Sequence, residues 1–192
     1  MPALLLASSS PYRRELLERL RLPFTHASPA IDETRQAAEG AHALVRRLAE
    51  QKARALAGSH PHHLIIGSDQ VAVLDQQILG KPHDFATARQ QLLAASGRSV
   101  SFLTGLALLN TASGRCQVDA VEFIVHMRTL DPATVDRYLQ AEQPYDCAGS
   151  FKAEGLGVSL FRRTEGDDAT SLVGLPLIRL VDMLLEENVI LG

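Results

Sequence analysis

Cysteine is scarce in this chain. Cys116 and Cys147 stand far apart with no partner spacing for a metal, so neither a disulfide framework nor a zinc site is expected, and a reducing cytoplasm fits. No apolar run approaches the roughly 20 residues that cross a bilayer, which argues against a membrane protein. There is no excess of positive charge either: 19 Lys and Arg stand against 22 Asp and Glu, a net charge of −3. That balance removes the basic field that nucleic-acid binding needs, and leaves any anionic ligand to be held by local cations. Internal repeats, charge blocks, low-complexity stretches and Pro/Gly/Ser linkers are all absent, so one domain over 1–192 is expected. The N-terminus has no basic n-region. Its apolar run meets Ser8 to Ser10 and then a charged helix, which reads as a first strand rather than a signal peptide.

What is present is an ordinary globular composition, 46% hydrophobic and 21% charged. Residues 3–7 read as a buried strand, followed at once by a helix with Ser10 as N-cap, Pro11 in its first turn and Leu16, Leu17 and Leu20 as its apolar stripe. A strand is expected at 23–28 and a helix at 41–57. Leu64-Ile65-Ile66 reads as a buried strand that ends in Gly67-Ser68-Asp69-Gln70, with pairing resumed at Val71 to Leu74. Asp84 caps a helix at 85–95. Residues 99–109 and 116–127 form a hairpin through the Asn110–Gly114 turn. A helix at 131–141, a strand near 157–162 and a helix after Pro176 complete the pass. Helices interleave with strands, but the hairpin demands antiparallel pairing, so the class is α/β with a mixed central sheet flanked by helices.

The chemistry gathers at a few places. The first turn of the first helix offers free N–H groups and the positive dipole end, a ready phosphate site, and it carries Arg13 and Arg14. Arg13 shares a stripe with Leu17 and Leu20, which points it toward the protein; the alternative is a surface arginine pair. Ser8 and Ser10 also read as plain turn and cap residues. Asp69 follows a buried strand, where α/β sheets place ligands, and is either a functional carboxylate or an Asx-turn residue. Glu33 is a weaker acidic candidate in a loop. Leu79-Gly80-Lys81-Pro82 sets a lysine between a flexible and a rigid residue without the glycine spacing of a Walker loop, and a simple turn is the plainer reading. Lys52 reads as solvated. His60, His62 and His63 fit an exposed loop better than a metal site.

These residues resemble a known family. Leu5-Leu6-Ala7-Ser8-Ser9-Ser10-Pro11-Tyr12-Arg13-Arg14-Glu15-Leu16-Leu17 resembles the opening signature of the Maf-like proteins. Ile31-Asp32-Glu33, Gly67-Ser68-Asp69-Gln70-Val71, Leu79-Gly80-Lys81-Pro82, Ser96-Gly97, Thr104-Gly105, Cys147-Ala148-Gly149-Ser150-Phe151 and Val173-Gly174-Leu175-Pro176-Leu177 follow in family order. The resemblance covers essentially the whole chain.

It implies a Maf/ITPase-like α/β fold with a ligand cleft, and hydrolysis of nucleoside triphosphates to monophosphate and pyrophosphate with a divalent metal, Mg²⁺ or Mn²⁺. Asp69 is then the catalytic acid/base residue, and Glu33 and Asp69 share the metal. Ser10, Arg13, Arg14, Lys52 and Lys81 hold the phosphates. The family's pyrimidine branch carries arginine, threonine and glutamine where this chain has Tyr12, Gln70 and Glu154, so the trio resembles the branch acting on 7-methyl-GTP. Tyr12 would stack on the cationic methylated base, and Glu154 would accept from the guanine N1–H and amine. The alternatives are the same chemistry on dTTP or UTP, and a nucleotide-binding regulator of cell division. The partners implied are a small nucleotide and, from family precedent and the frequency of twofold oligomers, a homodimer. Neither nucleic acid nor membrane is expected.

Overall fold

A computed structural model describes residues 2–190; Met1 and residues 191–192, the extremities of the expected domain, lie outside it. The fold is α/β. Seven strands make one mixed sheet in the order β2-β1-β3-β5-β6-β7, with β4 paired to β3. The chain divides into two compact units, the first comprising residues 1–69, 104–121 and 170–192, the second residues 70–103 and 122–169. Among the described residues, no helix is long and apolar enough to cross a membrane.

In the first unit, β1 (Ala3–Ala7) runs parallel to both β2 (Phe24–Ala27) and β3 (His63–Leu74). Side chains alternate across a strand, so β1 feeds two cores. Leu4 and Leu6 join Leu64 and Ile66 on the side of α1 (Pro11–Glu18), while Leu5 and Ala7 join Ile65 on the side of α2 (Ala41–Ala55). That two-sided burial is why β1 reads as a continuous apolar run rather than an alternation. The α2 side is lined by small residues, among them Ala49, Ala53 and Ala107. A Cβ on Gly67 would stand 2.0 Å from the Ala49 carbonyl oxygen, and one on Gly105 would stand 2.1 Å from that of Val45. Helix and sheet backbones therefore meet directly at both glycines.

The second unit begins with residue 70 of β3, which pairs antiparallel with the short β4 (Gln77–Leu79). Asp84 caps α3 (Phe85–Ala95) by accepting from Thr87 N at 2.7 Å. Only residues 99–103 of β5 (Ser99–Asn110) and 122–127 of its sheet neighbour β6 (Cys116–Met127) belong here; the turn between the strands is part of the first unit and is closed by Gly114 N donating to Asn110 O at 2.8 Å. After α4 (Pro132–Glu142), β7 (Phe161–Glu165) pairs antiparallel with β6. The unit's core includes Phe102, Phe151 and Phe161, in edge-to-face contact with centroids 5.1 and 4.7 Å apart. The first unit closes with α5 (Thr170–Val173) and α6 (Leu177–Glu186).

Three sequence expectations are corrected. β3 does not stop at Gly67 but runs unbroken from His63 to Leu74. Gly67 serves a close helix approach rather than a turn, and Asp69 lies inside the strand. The strand expected near 157–162 is a 3₁₀ turn, Leu156–Leu160, with β7 starting only at Phe161. Lys52 is buried, not solvated. β4 and α5, at three and four residues, are too short to show a period.

Candidate active site

β1 ends in the buried Ser8, whose Oγ accepts from Ser10 N at 3.1 Å. Ser10 in turn caps α1, its Oγ accepting from Arg13 N at 3.4 Å, and Pro11 needs no partner for a missing N–H. Arg13 sits on the inward stripe, three and four residues before the buried Leu16 and Leu17. Its Nε donates to Gly174 O at 2.7 Å, and Nη1 reaches Ser8 Oγ at 3.5 Å. Burial draws the Arg13 guanidinium below its ordinary pKa, and the charges of Asp69 and then Glu33 draw it back, which sets all three in one electrostatic neighbourhood. Arg14 turns to β2 instead, its Nη1 3.1 Å from His26 Nε2. A guanidinium only donates, so His26 accepts there. Arg14 Nε is buried and makes no hydrogen bond among the described residues. Tyr12 is half-buried in the same turn.

Along β3, Ile65, Gly67 and Asp69 point to the α2 face, and α2 answers with Lys52, which lies on the buried stripe of Val45, Leu48 and Ala49. Lys52 Nζ donates to Asp69 Oδ1 at 2.6 Å and pairs with Glu33 Oε1 at 2.9 Å. Both the lysine and Asp69 have side chains about a tenth exposed or less, at 8% and 10%. A buried ammonium needs compensation, and two carboxylates supply it. The glycine contacts that bring α2 against the sheet are what bring Lys52 over Asp69.

Glu33 belongs to a loop with its own fastening. Arg47, also on α2, makes a two-point bond to Glu39, Nε to Oε1 at 2.6 Å and Nη2 to Oε2 at 2.8 Å, and donates to Thr34 O at 3.1 Å. The arginine hydrogen bond pulls the Glu39 carboxyl down to about 2. Thr34 N donates to Asp32 Oδ1 at 2.9 Å. Glu33 thus lies between Asp32 and Thr34, which are bonded to each other, with Thr34 held in turn by Arg47, while its own side chain stays 59% exposed.

Ser68 shares the opposite face of β3 with Leu64 and Ile66, and it has no solvent exposure. Its hydroxyl lies 2.8 Å from Gly105 O and 2.9 Å from Gly174 O. The carbonyl that receives Arg13 is therefore also held by Ser68. Gly174 has φ +116°, a backbone that side-chain-bearing residues rarely adopt, and a Cβ there would meet Arg13 Nε at 3.4 Å. A hydroxyl has one proton to share, and Ser68→Ala removes it from both buried carbonyls, of which Gly174 O keeps its bond from Arg13 Nε. The expected cost is about 1 to 3 kcal/mol, seen in urea unfolding as a lower midpoint with an unchanged slope.

Ser10, Tyr12, Arg13, Arg14, Glu33, Lys52 and Asp69 all belong to the first unit, and the structure gathers Glu33, Lys52 and Asp69 into one cluster, with Arg13 within reach of the two carboxylates' charge. Gln70, Lys81 and Glu154 belong to the second. Gln70 follows Asp69 directly in β3 and is half-buried. Lys81 is exposed in the loop between β4 and α3, and Glu154 is exposed in the loop after Phe151. Ser68, Gly174 and Arg47 went unnoticed in the sequence as supports. A serine at an apolar strand's buried position was the available signal for Ser68, since a buried hydroxyl must find a partner.

The family described as Maf-like protein matches residues 3–187. The chain belongs to it. This Maf-like protein is 75% identical over 189 residues to a protein of Pseudomonas savastanoi pv. phaseolicola, 98% of each chain being covered. It is 72% identical over 189 residues to one of Pseudomonas aeruginosa, again with 98% of each covered. It is 61% identical over 188 residues to one of Alcanivorax borkumensis, covering 98% of this chain and 95% of the relative. Each of the three carries the name 7-methyl-GTP pyrophosphatase.

The Maf-like protein's cluster suits a hard divalent cation. No group of three or more His, Cys, Asp or Glu side chains fit for a metal occurs among the described residues. Glu33 and Asp69, however, converge within 2.9 Å of a single cationic atom, Lys52 Nζ. Two carboxylates are what Mg²⁺ commonly takes from a protein when waters and substrate phosphates complete its shell.

Proposed function

We propose that this chain hydrolyses 7-methyl-GTP to 7-methyl-GMP and diphosphate in the cytoplasm, removing a modified nucleotide. The observation that carries the chemistry is the convergence of Asp69 and Glu33 on Lys52, from the buried strand to the exposed loop, with Arg13 within electrostatic reach of both carboxylates. The name 7-methyl-GTP pyrophosphatase, shared by relatives up to 75% identical over nearly the whole chain, supports the substrate.

In this reading a water oxygen attacks the α-phosphorus, the α–β P–O bond breaks and pyrophosphate leaves. Lys52 engages Asp69 Oδ1, so the water's proton passes to Oδ2. Arg13, with Nε fixed on Gly174 O, turns its remaining N–H groups to the phosphates, and Ser10, Arg14, Lys52 and Lys81 complete their binding. The two cations and two carboxylates of the cluster cancel, so these four residues alone carry no surplus charge for a polyanion. A divalent cation held by Glu33 and Asp69 supplies that surplus and offsets charge developing in the transition state. Tyr12, Gln70 and Glu154 select the base.

Pyrophosphate release from 7-methyl-GTP, GTP, dTTP and UTP, each with Mg²⁺, Mn²⁺ or EDTA, tests the reading. 7-methyl-GTP is expected to be turned over fastest and EDTA to abolish turnover. Faster hydrolysis of dTTP or UTP overturns the substrate, full activity in EDTA overturns the metal, and binding without turnover makes the protein a regulator.

A further inference from the structure

Residues 152–157 follow the 3₁₀ turn at Ala148–Ser150 and include the exposed Glu154, yet their backbone is tied on either side of it, at Lys152 and at Gly155 to Gly157. Lys152 O accepts from both Gly155 N at 3.2 Å and Gly157 N at 3.1 Å. Two side chains of α4 fasten the ends. Tyr138 Oη accepts from Lys152 N at 3.0 Å, and Glu142 Oε2 accepts from Leu156 N at 2.7 Å. Tyr138 and Glu142 are four residues apart, so both lie on one face of α4. Tyr138 is 3% exposed and the Glu142 side chain 17%. Glu142 Oε1 also stands 3.9 Å from Lys152 Nζ.

The glycines make the fit possible. A Cβ on Gly155 would meet Glu142 Oε1 at 2.6 Å, and a Cβ on Gly157 would meet Lys152 O at 2.3 Å. Gly-Leu-Gly looks like a flexible segment, but here both glycines serve close approach. The result is a clamped turn whose outward side chain is a carboxylate.

We propose that Glu142 and Tyr138 are positioning residues for substrate selection: they hold the 152–157 turn so that Glu154 is presented to the base in one orientation. This rests on the proposed role of Glu154 in reading the base. A carboxylate on a loose loop must be ordered at the moment of binding, and that ordering is lost affinity; a turn tied in advance avoids it. A site built on placed hydrogen-bond acceptors also rejects bases that lack the matching donors, so the clamp acts on discrimination rather than on the hydrolytic step.

The test compares kcat/KM for 7-methyl-GTP with that for dTTP in the full-length protein and its Glu142→Ala, Glu142→Gln, Glu154→Ala and Glu142→Ala/Glu154→Ala variants. Glu142→Ala is expected to lower the ratio about tenfold through KM for 7-methyl-GTP, leaving kcat for dTTP unchanged. Glu142→Gln keeps an acceptor oxygen for Leu156 N and is expected to restore most of the ratio. The double variant is expected to be no worse than Glu154→Ala, because Glu142 acts through Glu154. A wild-type ratio in Glu142→Ala, beside a collapsed one in Glu154→Ala, overturns the inference and leaves the substrate reading standing. An unchanged ratio in Glu154→Ala overturns the inference together with the role of Glu154 in reading the base, and leaves the preference for 7-methyl-GTP itself standing. Should Glu142→Ala fail to fold, Tyr138→Phe removes the other clamp while keeping the ring, and the same loss of discrimination decides the matter.

Discussion

Asp69→Asn is expected to lower pyrophosphate release by about 10² to 10⁴-fold, the range that loss of a positioned general base produces. The substitution keeps the side-chain volume at a position only 7% exposed, and an asparagine oxygen still accepts from Lys52. The ammonium is not stranded, since Glu33 remains 2.9 Å from Nζ. Thermal unfolding is therefore expected to stay near the wild type while turnover falls, which separates a chemical role from a structural one. Stopped assays at saturating 7-methyl-GTP and metal measure kcat directly. A variant with the wild-type rate would remove Asp69 from the chemistry, whatever its place in the cluster.

Gly67→Ala is the second large effect, and it falls first on the fold. The added Cβ would lie 2.0 Å from Ala49 O and 3.0 Å from Ala53 N, both backbone atoms of α2 that no rotamer change can move. The helix must retreat by roughly 1 Å, loosening the Ala49 and Ala53 packing and lifting Lys52 from Asp69. Overpacking of this kind costs about 3 kcal/mol or more. For a chain of this size that corresponds to a fall in melting temperature of about 6 to 12 °C. Gly58→Ala is the control, because nothing lies within 4 Å of its Cβ position; it is expected to stay within about 0.5 kcal/mol of the wild type. A melting temperature for Gly67→Ala within 2 °C of the wild type, given roughly 2 to 4 °C per kcal/mol, would show that the backbone contact is not needed.

The same glycine shows where reading a sequence stops. Gly67-Ser68-Asp69-Gln70 opens with three residues that each favour turns, and a turn is the local reading. In the fold each has another reason to be there. Gly67 admits α2, Ser68 holds two carbonyls, and Asp69 meets Lys52. Lys52 failed for a related reason: a lysine on a helix is ordinarily solvated, and only its place four residues after Leu48 on the apolar stripe hinted otherwise. The turn before β7 was missed because Leu156 to Leu160 is apolar enough to pass for a strand, while its conformation is set by contacts from α4.

By itself the sequence determined whatever depends on neighbours along the chain. The Ser10 and Asp84 caps, the two-faced apolar strand β1, the turn between β5 and β6 and the α/β class all follow from short-range hydrogen bonding and periodicity. The ordered motifs also carried the Maf-like resemblance. The tertiary structure alone decided which charges meet. Lys52 and Asp69 are 17 residues apart, Arg13 and Gly174 are 161, and such pairs form only when helix and strand backbones close to contact distance. Periodicity tells which face of an element is buried; the partner across the interface is set by the three-dimensional packing, and here two glycines set how near that partner comes.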